Sequence, residues 1–95
     1  MLKAKIITNF PVAYESADHL QPCGTMADNS RNPAYVEQLI SIFGKDMHYM
    51  DLGCAGGGFV AEFIEKNVFA VGVEGSDLSL KAQRAEWATI KDYLF

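Results

Sequence analysis

This 95-residue chain predicts an α/β domain built on parallel strands. Two short strand-like stretches, residues 47–52 and the apolar residues 68–73, are separated by a glycine-rich turn and an amphipathic stretch, and a second helical pattern follows. Strand, glycine loop, helix, strand, helix is the opening of a βαβα unit.

The first third of the chain, residues 1–31, mixes short apolar pieces (Ile6, Ile7, Phe10, Val12) with Pro11, Pro22, Gly24 and a polar run, and reads as strand-like segments and loop. Asn32 before Pro33 is an N-cap followed by proline at the first helical position, where the missing N–H costs nothing. Val36, Leu39, Ile40 and Phe43 recur at helical steps, and Gly44 can end the helix, so residues 33–43 are predicted helical.

Residues 47–52 form the first predicted core strand, bounded by Lys45 and Asp46 before it and by glycine after it. Beyond the glycines, Phe59, Val60, Phe63 and Ile64 share one helical face, Glu62, Glu65 and Lys66 take the other, and Asn67 can close the helix. Residues 68–73 are apolar nearly throughout and rich in β-branched side chains, as a strand covered on both faces should be. Ser76 or Asp77 can cap a last helix reaching about Tyr93, with Leu80, Trp87 and Leu94 seven apart on one stripe.

A chain of this length supports one modest core. With 49% hydrophobic and 21% charged residues it has the composition of a folded protein, not a disordered one. The net charge of −4 offers no basic footprint for a phosphate backbone, so nucleic acid is not an expected partner. No apolar run approaches the roughly 18 residues of a membrane span, and the N-terminal stretch lacks the pattern of a secretory signal, which makes the cytoplasm the expected location. Cys23 and Cys54 lack metal-pair or redox-motif spacing and are read as free thiols, and no metal site is expected.

The chemistry concentrates in Asp51 to Gly58. A ligand bound beyond a parallel strand needs the main chain to turn sharply and approach closely, and Gly53, Gly56, Gly57 and Gly58 remove the side chains that would obstruct this. The helix that follows offers free N–H groups and a positive dipole end to an anionic group. The dinucleotide fingerprint would place glycine where Ala55 stands. Asp51, two positions before the first glycine, would repel a pyrophosphate and attract an ammonium or sulfonium. Glu74 follows Gly53 by 21 positions, the offset of about 20 at which an acid meets ribose hydroxyls in nucleotide-binding folds. An acid for an amino-acid-like cation and an acid for a ribose together suit S-adenosyl-L-methionine.

The segments YMDLGCAGGGF and VFAVGVEGSD resemble the first two motifs of class I S-adenosylmethionine-dependent methyltransferases, a likeness covering about half the chain. The resemblance implies a Rossmann-like three-layer methyltransferase fold, truncated after the second βα unit: residues 1–32 as a lead-in, residues 33–95 as a helix plus the βαβα cofactor-binding half. It implies that Asp51, Gly53, Cys54, Ala55 and Gly57 hold the methionine part of the cofactor, that Glu74 holds the ribose, and that Gly75 and Ser76 lie along the adenine. The segment DHLQPCGTMADNSRNP is similar to the lead-in of some methyltransferases of sugar or cell-surface biosynthesis, where it covers the cofactor. The methyl acceptor is accordingly expected to be a small, sugar-related molecule. The strands on which the family carries its adenine-amine acid and its acceptor-facing groups are not represented, so no catalytic residue is assigned and the chain alone is expected to be inactive in turnover.

Two other functions remain open on the sequence. DLGCAGGGF also resembles the first motif of RNA ribose methyltransferases, which usually have proline where Gly56 stands, but the acidic charge opposes RNA binding. A non-catalytic nucleotide-binding or association module is the third possibility, since two parallel strands alone expose both sheet edges, which the N-terminal segment or a second copy could complete.

Each of these residues also has an ordinary explanation. The glycines could be punctuation, and Asp51 could cap the next helix or pair with a lysine. Cys54 has no histidine beside it in sequence and suits a loop that tolerates only small residues. His19 and His48 stand alone. Asp28 and Asn29 suit local turns, with cofactor contact implied only by the resemblance of the lead-in. Trp87 fits a packing stripe better than an adenine platform.

Overall fold

The computed structural model describes Ile7, Asn29, residues 31–75 and residues 78–95. Helix α1 spans Pro33–Phe43, as the proline and glycine signals predict. Asn32 Oδ1 accepts from the Tyr35 N–H at 3.1 Å, satisfying one of the N–H groups that a helix start leaves without an intrahelical partner. Gly44 closes the helix at φ 79°, its N–H returning to the Ile40 carbonyl.

Strand β1 (His48–Leu52) leads through the glycine loop into helix α2 (Gly58–Glu65), and α2 returns the chain to strand β2 (Phe69–Val73). The two strands are parallel, with His48 opposite Phe69 and Leu52 opposite Val73. Helix α2 ends where Asn67 takes φ 61°, the left-handed conformation that asparagine tolerates. Its buried face places Val60 and Phe63 in a core with Val36, Cys54, Val68, Ala70, Trp87 and Leu94. Tyr49 stacks on Phe63 with ring centroids 4.1 Å apart, which seats α2 on the β1 face that carries Tyr49. The expectation that Glu62 lies on the polar face fails. It is 6% exposed, and neither carboxylate oxygen has a hydrogen-bond partner among the described residues.

Strand β2 is buried on both faces at Ala70, Val71 and Gly72, as its unbroken apolar sequence predicts. On β1, by contrast, Met50 and Leu52 are 58% and 74% exposed on the face away from Tyr49.

The continuous last helix predicted to about Tyr93 does not form. A single turn, α3 (Leu78–Lys81), is followed by short 3₁₀ turns at Ala85–Ala88 and Lys91–Tyr93. Gln83 and Ala85 take φ 51° and 45°, far from the φ near −63° that a continuous α-helix would require. The break lets Trp87 turn into the core while Leu80 remains 46% exposed, so the seven-residue stripe is not one helical face.

Leu94 then bridges Gly72 in the parallel sense. The Phe95 N–H bonds the Gly72 carbonyl at 2.9 Å, and the Glu74 N–H bonds the Phe95 carbonyl at 2.8 Å. Since Val73, between them, receives bonds from Gly53 and Cys54, Leu94 and Phe95 lie on the edge of β2 opposite β1. The expectation of two unpaired edges is thereby corrected at one of them: the outer edge of β2 is met from within the chain by Leu94 and Phe95. The observed architecture is a compact, small α/β fold with a two-stranded parallel sheet and helices. No helix among the described residues is long and apolar enough to cross a membrane.

Candidate functional site

The loop from Gly53 to Gly57 sits beyond the carboxyl ends of β1 and β2, where a parallel sheet offers its binding crevice. Its anchor is the Val73 carbonyl, which accepts from the Gly53 N–H at 2.7 Å and the Cys54 N–H at 3.0 Å. Glu74 follows immediately in sequence, and its Oε2 accepts from the Ala55 N–H at 2.7 Å. The acid at the end of the second strand thus meets the glycine loop at the end of the first, an adjacency that the 21-residue spacing could not specify. Ala55 stands at φ 48°, a strained conformation for a residue with a Cβ.

Every carbonyl from Cys54 to Gly57 is satisfied from within. Cys54 O accepts from Gly57 N at 2.8 Å, Ala55 O from Trp87 Nε1 at 2.8 Å, Gly56 O from Glu86 N at 3.0 Å and Gly57 O from Ala61 N at 3.0 Å. The N–H groups of Gly56, Gly58 and Phe59 have no acceptor among the described residues. With its carbonyls consumed and donors to spare, the loop presents donors at the N-terminus of α2, which is the polarity an anionic group requires.

Two glycines fit this site tightly. Gly57 takes φ 87°, and a Cβ there would come 2.9 Å from Leu94 Cδ1. At Gly72 a Cβ would lie 2.6 Å from Cys54 Sγ and 2.9 Å from Leu94 Cδ2. Gly72 therefore lets β2 pass directly beneath the loop.

Asp51 lies near the end of β1 opposite Gly72 and is half-buried. Cys54 is a free, buried thiol. Burial, then the negative charges of Asp51 and Glu74, push its pKa up from 9.0 to about 12, so it remains a neutral thiol and a poor nucleophile. Tyr49, two positions before Asp51, is likewise raised, chiefly by burial and then by its hydrogen bond with Tyr35.

The structure brings Asp51, Gly53, Cys54, Ala55, Gly57 and Glu74 together around the loop. Gly75 follows Glu74 in a half-buried bend, and Ser76 lies outside the described residues, as do Asp77, His19, Cys23 and Asp28. Asn29 meets Glu86, its Nδ2 3.4 Å from Oε1. Arg31 pairs with the same Glu86 and, at 3.1 Å, with Glu65 of α2, joining the lead-in to the segment that holds the loop. His48 is exposed and packs edge-on against Phe69. Sequence reasoning gave Trp87 a packing role, and it is 2% exposed in the core, but its bond to the loop was missed. The available signal was chemical: a buried indole N–H needs an acceptor.

The fold is a small α/β unit with a donor-rich loop beyond its two parallel strands. Comparison with protein-family models, with curated proteins and with solved structures gives no match.

Proposed function

We propose that this chain is the cofactor-binding half of a class I S-adenosylmethionine-dependent methyltransferase of Rossmann-like fold, acting in the cytoplasm on a small, sugar-related acceptor. The observation that carries the proposal is the meeting of the Glu74 carboxylate with the glycine loop at Ala55, which sets one acid at the loop's β2 side while Asp51 stands on its β1 side. The N–H groups at the start of α2 that have no acceptor among the described residues supply donors for a carboxylate, Asp51 a negative charge for an ammonium or sulfonium, and Glu74 acceptors for paired hydroxyls. S-adenosyl-L-methionine carries all three groups. Leu94 and Phe95 beside β2 are also consistent with a larger parallel sheet that continues on that edge.

In such an enzyme the cofactor supplies the electrophilic methyl group. The residues of this chain bind and orient it, and placing nucleophile and methyl in line is itself a large part of catalysis. The neutral Cys54 thiol would contribute small size beside the ligand, not reactivity.

The test is equilibrium binding of S-adenosylhomocysteine to the 95-residue chain by calorimetry, beside Asp51→Ala and Glu74→Ala. Saturable binding by the parent, weakened roughly tenfold or more in each variant, is expected from the loss of a charged hydrogen-bonding partner. Equal binding by all three proteins, or none by the parent, would contradict the proposal.

A further inference from the structure

We infer that Trp87 is a positioning residue for the glycine loop, its indole N–H fixing the direction in which the Gly56 N–H is offered to a bound anion. The anion-binding part of the inference rests on the function proposed above.

A trans peptide unit points its C=O and N–H in opposite directions, and the described residues contain no cis bond. Ala55 O and Gly56 N belong to one such unit. Trp87 Nε1 holds Ala55 O at 2.8 Å from the core side, so the Gly56 N–H must face the other way. Neighbouring units are fixed differently. The Ala55 N–H is committed to Glu74 and the Gly57 N–H to Cys54 O, leaving Gly56 as the buried N–H between them without an acceptor among the described residues. Leaving a buried donor unsatisfied is unfavourable, and a ligand oxygen would relieve it.

The unit would not keep this orientation unaided. The 55–56 peptide turns about ψ of Ala55 and φ of Gly56, and Gly56, having no Cβ, opposes such a turn only weakly; the rotation would bring a carbonyl toward the site and take the donor away. Two bonds from one short 3₁₀ turn oppose this rotation: Trp87 Nε1 on Ala55 O and Glu86 N on Gly56 O. The loop that receives ligand is thus held by a segment some thirty positions downstream, whose own place is set by burial of the same tryptophan.

Trp87 is the only tryptophan in the chain, so a single indole resonance reports this bond. The experiment compares the parent protein with Trp87→Phe and with a form carrying benzothienylalanine at position 87, in which sulfur replaces the indole N–H at nearly unchanged volume. Amide hydrogen exchange of Ala55, Gly56 and Gly57 is measured without ligand, and S-adenosylhomocysteine affinity is measured by titration. The parent indole N–H should exchange slowly. Loop amides in the benzothienylalanine protein should exchange several-fold faster, and its affinity should fall roughly five- to tenfold, the worth of one buried hydrogen bond. Unchanged loop exchange overturns the clamp whether or not ligand binds. Faster exchange with unchanged affinity overturns the link to binding. Failure of the parent itself to bind would instead count against the proposed cofactor, while the exchange comparison still decides the clamp. If Trp87→Phe fails to fold, the isosteric form carries the test.

Discussion

Glu74 reaches back across 19 positions of sequence to accept the Ala55 N–H at 2.7 Å, tying the end of the second strand to the loop after the first. The bond is charge-assisted, and its acceptor belongs to a residue equally suited to hold the hydroxyls of a ligand.

Glu74→Ala should therefore destabilise the fold by about 1–2 kcal/mol, since it leaves a buried N–H without its partner, whereas Glu74→Gln should cost less because an amide oxygen can replace the carboxylate oxygen. Urea denaturation measures both. Equal losses in the two variants would show that charge, and not the Ala55 bond, is what the position contributes.

At Gly72 the expected loss comes from crowding. The added Cβ of Gly72→Ala would stand 2.6 Å from Cys54 Sγ and 2.8 Å from Cys54 Cβ, and the Cys54 Cβ cannot withdraw without moving the loop. Overpacking of this kind costs about 1–3 kcal/mol. The loss should appear as a lowered urea midpoint and should be accompanied by weaker S-adenosylhomocysteine binding. A neutral Gly72→Ala would mean that the loop is not anchored against β2 as described.

Cys54 links stability to alkaline pH. Its thiol is raised in the folded protein from 9.0 to about 12, so the folded state keeps the proton longer than the unfolded state does. Above pH 9 the unfolded chain holds fewer protons, and stability must fall as pH rises from 9 toward 12. Tyr49, raised chiefly by burial, acts in the same sense. Cys54→Ala should flatten part of this decline, and Tyr49→Phe another part, in denaturation series between pH 8 and 11. Parallel curves for the parent and Cys54→Ala would contradict the buried, carboxylate-flanked setting of the thiol. The same setting predicts that Cys54 resists alkylation at pH 8 until the protein unfolds.

Local rules made much of this fold legible in the sequence. Asn32, Pro33 and Gly44 bounded α1 because capping is a property of neighbouring residues, and the apolar run of β2 announced a strand covered on both faces. The segment after Glu74 was misread for an equally physical reason. Leu80, Trp87 and Leu94 satisfy helical spacing, yet Trp87 is drawn inward by the acceptor at Ala55 and Leu94 by pairing with Gly72, and both interactions are long-range. At the site, the residue types that can hold a ligand were visible as Asp51, the glycines and Glu74. That Glu74 would touch Ala55, or that Trp87 would hold the loop, depends on how β2 and the chain after it fold back, which spacing does not encode.

The loop as an anion-accepting cofactor site is tested most directly by titrating the ¹⁵N-labelled chain with S-adenosylhomocysteine and following its backbone amides. Saturable shifts should be largest at Gly56, Gly58 and Phe59, whose N–H groups lack an acceptor among the described residues, with smaller changes at Ala55 and the Trp87 indole. No saturable shift, or shifts confined to the exposed Met50 and Leu52 face of β1, would contradict it.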